Sequence, residues 1–184
     1  MQFLDDARDF SDVTAYLITY HTHGTWLHGD NRGSVDYTHN RPGTYMLPPN
    51  GRRNRLAAER MRQPIVELDG PRRAVVERTI REVVDYRDWT LHAINVRTNH
   101  VHVVVTANVA PEKVMGDFKS WSTRRMVEAG LFEKGRKAWV HHGSTKYLWN
   151  EQALEDACRY VIEGQGIDLR NPETNMPEET EPRA

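Results

Sequence analysis

The stretch Asn99-His100-Val101-His102-Val103-Val104-Val105 places two imidazoles one residue apart inside a β-branched run. Such runs favour strands, and side chains alternate across a strand with a period of two. His100 and His102 therefore share one face, with Cα atoms about 6–7 Å apart, while Val101, Val103 and Val105 share the other. That spacing suits two ligands of one metal ion. Imidazole is a common ligand for divalent metals, and a position left open on the ion could polarise a phosphate oxygen. Two histidines on a half-exposed sheet face, hydrogen-bonded to neighbours and binding nothing, would give the same pattern. A second His-x-His, His21-Thr22-His23, lies where an apolar strand gives way to Gly24 and a polar stretch. It reads as a strand end or loop and ranks below His100 and His102 as a ligand pair.

The other group able to do chemistry is Tyr160. Around it Leu154, Ala157, Cys158, Val161 and Ile162 recur at the spacing of an apolar helical stripe. At about 100° per residue, Tyr160 lies about 100° or more from the centre of that stripe, so the core does not need it. The ordinary role of such a tyrosine is a half-buried ring with its hydroxyl in water. In combination with the His-hydrophobic-His strand and with Gln165 close behind, it supplies the parts for metal-assisted attack of a phenolate on a phosphodiester. Phenols ionise near pH 10 in water, so an ion or arginine neighbours would have to assist.

These groups need a scaffold, and the chain has the length for one. Its 184 residues fit one domain with a sizeable core. The 25 Lys+Arg against 26 Asp+Glu give no global attraction to nucleic acid, so any such site must be a local patch. The lone cysteine, Cys158, excludes an internal disulfide and fits a reducing cytoplasm. Met1-Gln2-Phe3-Leu4-Asp5-Asp6 lacks the basic and apolar regions of a secretion signal, and no apolar run approaches the length of a membrane span. A soluble cytoplasmic protein with no membrane partner is expected.

In chain order, residues 13–20 read as a buried first strand. Residues 28–63 read as an irregular Arg/Gly/Pro-rich insertion. Pro71 after Asp69-Gly70 starts a helix that ends near Asp88, and residues 89–96 pair with the His100 strand through Arg97-Thr98-Asn99. Pro111 opens a further helix that stops near Gly130. Residues 138–142 and 146–149 read as a second hairpin in which His141 and His142 point to opposite faces. Asn150 caps the last helix, and residues 169–184 read as a disordered acidic tail behind a domain over 1–168. The element order is β-α-β-β-α-β with a closing helix. Two basic groups are available for phosphates. One is Arg52, Arg53 and Arg55 in the insertion, with Arg41, Arg60, Arg62, Arg72 and Arg73. The other is Lys119, Arg124 and Arg125 on the polar face of the helix after Pro111, where plain solvent exposure is an equal account.

Four segments in this order resemble the single-tyrosine transposases of the HUH nuclease superfamily, especially the REP-associated tyrosine transposases. They are residues 89–105 with their Asn-His-Val-His core, residues 114–123, Lys146-Tyr-Leu-Trp149, and Tyr160-Val-Ile-Glu-Gly-Gln165. The resemblance implies a ferredoxin-like α/β (α+β) sandwich with an antiparallel sheet, helices on one face and a C-terminal tyrosine-bearing helix. It implies that His100 and His102 bind Mg²⁺ or Mn²⁺ and that Tyr160 attacks single-stranded or hairpin DNA. The products would be a 5′-phosphotyrosine and a 3′-hydroxyl, formed by a homodimer of identical chains. In related enzymes a polar metal ligand follows the tyrosine by four residues, where this chain has Gly164; Gln165 or Glu163 would have to replace it. Two other readings are open: a non-cleaving hairpin-binding protein derived from a transposase, and a hydrolase in which water attacks.

Overall fold

The computed structural model describes residues 12–31, 33–34, 45 and 47–166. Four strands, β1 (Ala15–His21), β2 (Thr90–Val96), β3 (His100–Thr106) and β4 (Ser144–Leu148), form one sheet in the order β2-β3-β1-β4. Every pairing is antiparallel. With helices α1 (Gly51–Glu59), α2 (Gly70–Arg87), α3 (Pro111–Glu128) and α4 (Glu151–Glu163), the β-α-β-β-α-β order and the ferredoxin-like sheet expected from the sequence are present.

The two central strands carry apolar side chains on both faces, and this divides the core. Tyr16, Ile18 and Tyr20 of β1 and Val101, Val103 and Val105 of β3 pack on one side with Val76, Ile80 and Val83 of α2 and Val114, Phe118 and Met126 of α3. On the other side Ala15, Ala93, Val104 and Leu148 meet Ala157 and Val161 of α4. The tyrosine-bearing helix thus covers the sheet face that carries His100 and His102. Helix ends follow their local chemistry. Asp69 and Asn150 accept from the Arg72 and Ala153 N–H groups at the starts of α2 and α4, and α2 stops at Asp88, whose φ of 56° is left-handed.

Three expectations are corrected. The stretch 28–63 contains α1, capped by the Asn50 side chain on the Arg53 N–H. No residue of α1 is buried, so it has no apolar stripe to give it away. Residues 138–149 do not fold on themselves as a hairpin. Trp139 bridges Thr22, the Val140 N–H donates to the His21 carbonyl, and β4 pairs with β1. The edge of β1 recruits both pieces, and the Lys119 ammonium donates to the carbonyls of Val140, His141 and His142 where the chain passes between them. Ile162, placed in the apolar stripe of α4, is 51% exposed because that helix buries a narrower face centred on Ala157 and Val161. The acidic tail and Arg41 lie outside the described residues. Among the described residues no helix is long and apolar enough to cross a membrane.

Gly143 lets β4 begin hard against β1. A Cβ there would stand 2.5 Å from both the Thr19 carbonyl oxygen and the Met115 sulfur. Gly143→Ala is expected to lower stability by about 1–3 kcal/mol, since the backbone must move to admit the methyl group; a reduced urea midpoint with an unchanged slope would show it.

Candidate active site

Register decides what surrounds the two histidines. His100 pairs with His21, and His102 stands between Asn95 of β2 and Thr19 of β1, with Ser144 of β4 beyond Thr19. The row Asn95–His102–Thr19–Ser144 therefore crosses the whole sheet. The His102 Nδ1 lies 2.7 Å from the Thr19 hydroxyl, and the His100 Nδ1 lies 2.6 Å from the Asn99 side-chain oxygen. An amide oxygen can only accept, so the His100 Nδ1 carries the proton and Nε2 carries the lone pair. The ring centroids of His100 and His102 are 4.6 Å apart, and His21 lies tilted at 5.3 Å from His100 and edge-on at 4.5 Å from Trp26.

His102 is 5% exposed. Burial first, then the neighbouring His100, His21 and Arg97, push its pKa down to about 4 against the opposing hydrogen bond from Gln165. Its ring is neutral at ordinary pH, which is the metal-ligating form.

The end of α4 is docked on the same row. The buried Asn95 amide donates to the Val161 carbonyl at 2.9 Å, fixing the last turn of the helix over β2 and β3. One residue earlier, Tyr160 sets its ring edge-on to His102 with centroids 5.6 Å apart and remains 48% exposed. Gly164 closes the helix, its N–H donating to the Tyr160 carbonyl. A Cβ at 164 would meet that carbonyl oxygen at 2.7 Å and the tyrosine ring at 3.1 Å, so a side chain at this position would displace Tyr160. Because the helix stops here, Gln165 turns back: its Nε2 donates to the Tyr160 carbonyl, and its side chain comes close enough to His102 to favour the protonated ring. Glu163 is exposed and lines a shallow depression with Asp156, Arg159 and Gly164 on the outer side of Tyr160.

His100, His102, Tyr160 and Gln165 are thus together in one chain. Among the described residues no group of three His, Cys, Asp or Glu side chains could hold an ion. The donors present are two imidazoles held at Nδ1 and one amide, a set of neutral nitrogen and oxygen ligands that fits a divalent metal with open positions. Lys119, Arg124 and Arg125 are not part of this group. They belong to α3, across the sheet, where Lys119 is spent on three carbonyls, Arg124 stacks on Trp121 and Arg125 pairs with Glu82 and Glu128. Arg72 and Arg73 brace backbone carbonyls of Leu131, Glu67 and Leu68. Arg52, Arg53 and Arg55, with Arg60 and Arg62, are exposed on and just after α1, and their side chains have no hydrogen-bond or ion-pair partner among the described residues. His141 and His142 bond to each other on the surface. Sequence reasoning missed Thr19 and Asn95, whose only signal was a polar residue inside an apolar strand.

Residues 52–162, more than half of the chain, match the family described as Transposase IS200 like. The chain belongs to this family. The match takes in His100, His102 and Tyr160 and stops before Gln165. Curated proteins give no match. Among solved structures, one similar chain is a REP-associated tyrosine transposase bound to a REP hairpin, 12% identical with a TM-score of 0.46 over 80% of this chain and 63% of that one. The chain therefore spans less than two thirds of that protein's length. Another is a candidate transposase from Deinococcus radiodurans R1, 15% identical with a TM-score of 0.43 over 81% and 88%.

The electrostatics of the site carry a pH dependence. The unfolded chain protonates His102 near pH 6.5, whereas the folded chain resists until about pH 4. Folding stability from this group is complete above pH 6.5 and is lost as pH falls from there towards 4, by at most about 3 kcal/mol. Thermal midpoints measured across pH 7 to 4 should fall further for the metal-free protein than for His102→Asn, which lacks the titrating ring.

Proposed function

We propose that this transposase nicks and rejoins single-stranded, hairpin-containing DNA through Tyr160, with His100, His102 and Gln165 holding Mg²⁺ or Mn²⁺. The observation that supports this best is the contact of the Tyr160 ring with His102, made by a tyrosine the core does not use. Bound at these donors, the ion would draw charge from a phosphate oxygen and ease nucleophilic attack. Asn99 and Thr19 orient the two imidazoles, and Asn95 and Gly164 set the height and end of the helix that carries the nucleophile.

In the reaction, Tyr160 gives up its phenolic proton and its oxygen attacks phosphorus. The new bond joins phosphorus to the tyrosine oxygen; the bond from phosphorus to the 3′-oxygen breaks, and that oxygen takes a proton to become a 3′-hydroxyl. The 5′-phosphate stays on Tyr160, and a second 3′-hydroxyl can reverse the step without ATP. The exposed arginines of α1, with no partners among the described residues, are the phosphate contacts of this reading, led by Arg52, Arg53 and Arg55. The segment bearing them leaves the sheet at His21, closes on itself through the Asn50 N–H on the Gly29 carbonyl, and returns through the Val66 N–H on the His23 carbonyl. Hairpin DNA is the substrate class that the likeness of Asn99-His100-Val101-His102 and Tyr160 to REP-associated transposases implies. In a homodimer each chain would carry a full set of these residues, since Tyr160 meets His102 of its own chain.

Incubation with a labelled hairpin DNA from the flanks of its own gene and Mn²⁺ should give a protein–DNA adduct on a denaturing gel. The adduct should disappear with chelator and with Tyr160→Phe, and fall at least about a hundredfold with His100→Ala. Cleavage without an adduct would mean that water is the nucleophile, and binding without cleavage would mean a binding protein. Mn²⁺ should also raise the thermal midpoint. Gln165→Leu should shift that titration to at least about tenfold higher metal, whereas Glu163→Gln should leave it in place.

A further inference from the structure

On the face of the sheet that carries His100 and His102, α4 packs mainly over β2 and β3, and it reaches β4 only at the Leu148 end. The opposite corner, formed by the beginning of β4 and the end of β1, is left open. Two β4 side chains belong to this face, Ser144 opposite Thr19 and Lys146 opposite Leu17, because Leu148 two residues further packs under α4. Both are exposed, and neither side chain has a hydrogen-bond or ion-pair partner among the described residues. The carboxylate that β4 does engage, Glu112, lies on the other face, where it accepts from Thr145. Among the described residues Lys146 is thus a cation without a counter-charge, two strands from His102, on the uncovered part of the same surface.

Two strand spacings put the β4 and β3 backbones about 10 Å apart. A lysine side chain bridges much of that distance but does not reach the histidines, so it would meet a phosphate beside the one at Tyr160 rather than the attacked one. We propose that Lys146 is a positioning residue of the site: it holds a neighbouring phosphate of the DNA strand against the open corner beside Thr19 and Ser144, and so aligns the strand across His102 towards Tyr160. This rests on the DNA-nicking reading above. An edge-strand lysine also discourages pairing with other chains, and that role alone would leave DNA binding untouched.

The test uses the full chain carrying Tyr160→Phe, which prevents covalent trapping, and a labelled DNA hairpin with a single-stranded flank. Affinity is measured across a salt series for this protein, for added Lys146→Gln, for Lys146→Arg, and for Lys113→Gln, which removes the same charge from the far face where Lys113 pairs with Asp117. Loss of one single-strand phosphate contact should flatten the slope of log affinity against log salt by about 0.7. Lys146→Gln is expected to show that change and a several-fold loss of affinity at low salt. Lys146→Arg and Lys113→Gln should keep the parent slope, and the Mn²⁺-induced thermal shift should be the same in all four. In the Tyr160 background, Lys146→Gln should raise the DNA concentration needed for half-maximal adduct. An unchanged slope in Lys146→Gln, with adduct formation by the Tyr160 protein intact, would overturn the role of Lys146 alone. Absence of both adduct and binding in the unaltered protein would overturn the nicking reading and this inference with it.

Discussion

The site depends on the register of β3 between its two neighbours. A strand's side chains alternate strictly, so a slip of one residue would turn His100 and His102 into the α2/α3 core and bring Val101 and Val103 under α4. The valines forbid it. Val101, Val103 and Val105 are fully buried with Phe118, Val76 and Ile80, and Val104 fills the place beneath α4 on the histidine face. An apolar run that looks like simple core is what aims the imidazoles. The same pairing delivers Thr19 and Asn95 to His102, one to hold its ring and the other to hold the helix above it.

This explains which parts were legible in the chain. The His-x-His face, the two outer helices and the stripe of α4 follow from periods of two and 3.6, which are local. Capping residues and prolines gave α2, α3 and α4 their starts for the same reason. Thr19 and Asn95 could not be recognised, because their meaning lies in pairings made across 83 and 66 residues of sequence. The expected hairpin over 138–149 failed on the same ground: alternation marks a strand but does not name its partner, and the edge of β1 was available. Helix α1 was missed for the opposite reason. It buries nothing, so only the Asn50 cap announced it.

The glycine at 164 shows how one residue can redirect the end of a helix. On a continuous helix Gln165 would point about 140° away from Tyr160. Ending the helix at Glu163 removes that constraint, and the close approach of Gly164 to the Tyr160 carbonyl leaves room for nothing larger. The amide then folds back over the last turn, bonding the Tyr160 carbonyl and coming close to His102. Tyr160 and the buried ring are brought together here at a helix terminus rather than along a continuous helix.

A nearly neutral chain can still bind a polyanion if its charges are unevenly spent. Across the sheet, α2 and α3 consume theirs: Arg78, Arg81, Arg87, Lys113 and Arg125 all meet carboxylates. Such exposed pairs add little stability, but each cancels the field that would attract phosphate to that face. Around α1 there is little to cancel, since Glu59 is the one acid among Arg52, Arg53, Arg55, Arg60 and Arg62. The net charge of −1 is therefore a sum over unlike regions, the acidic residues near both ends of the chain among them.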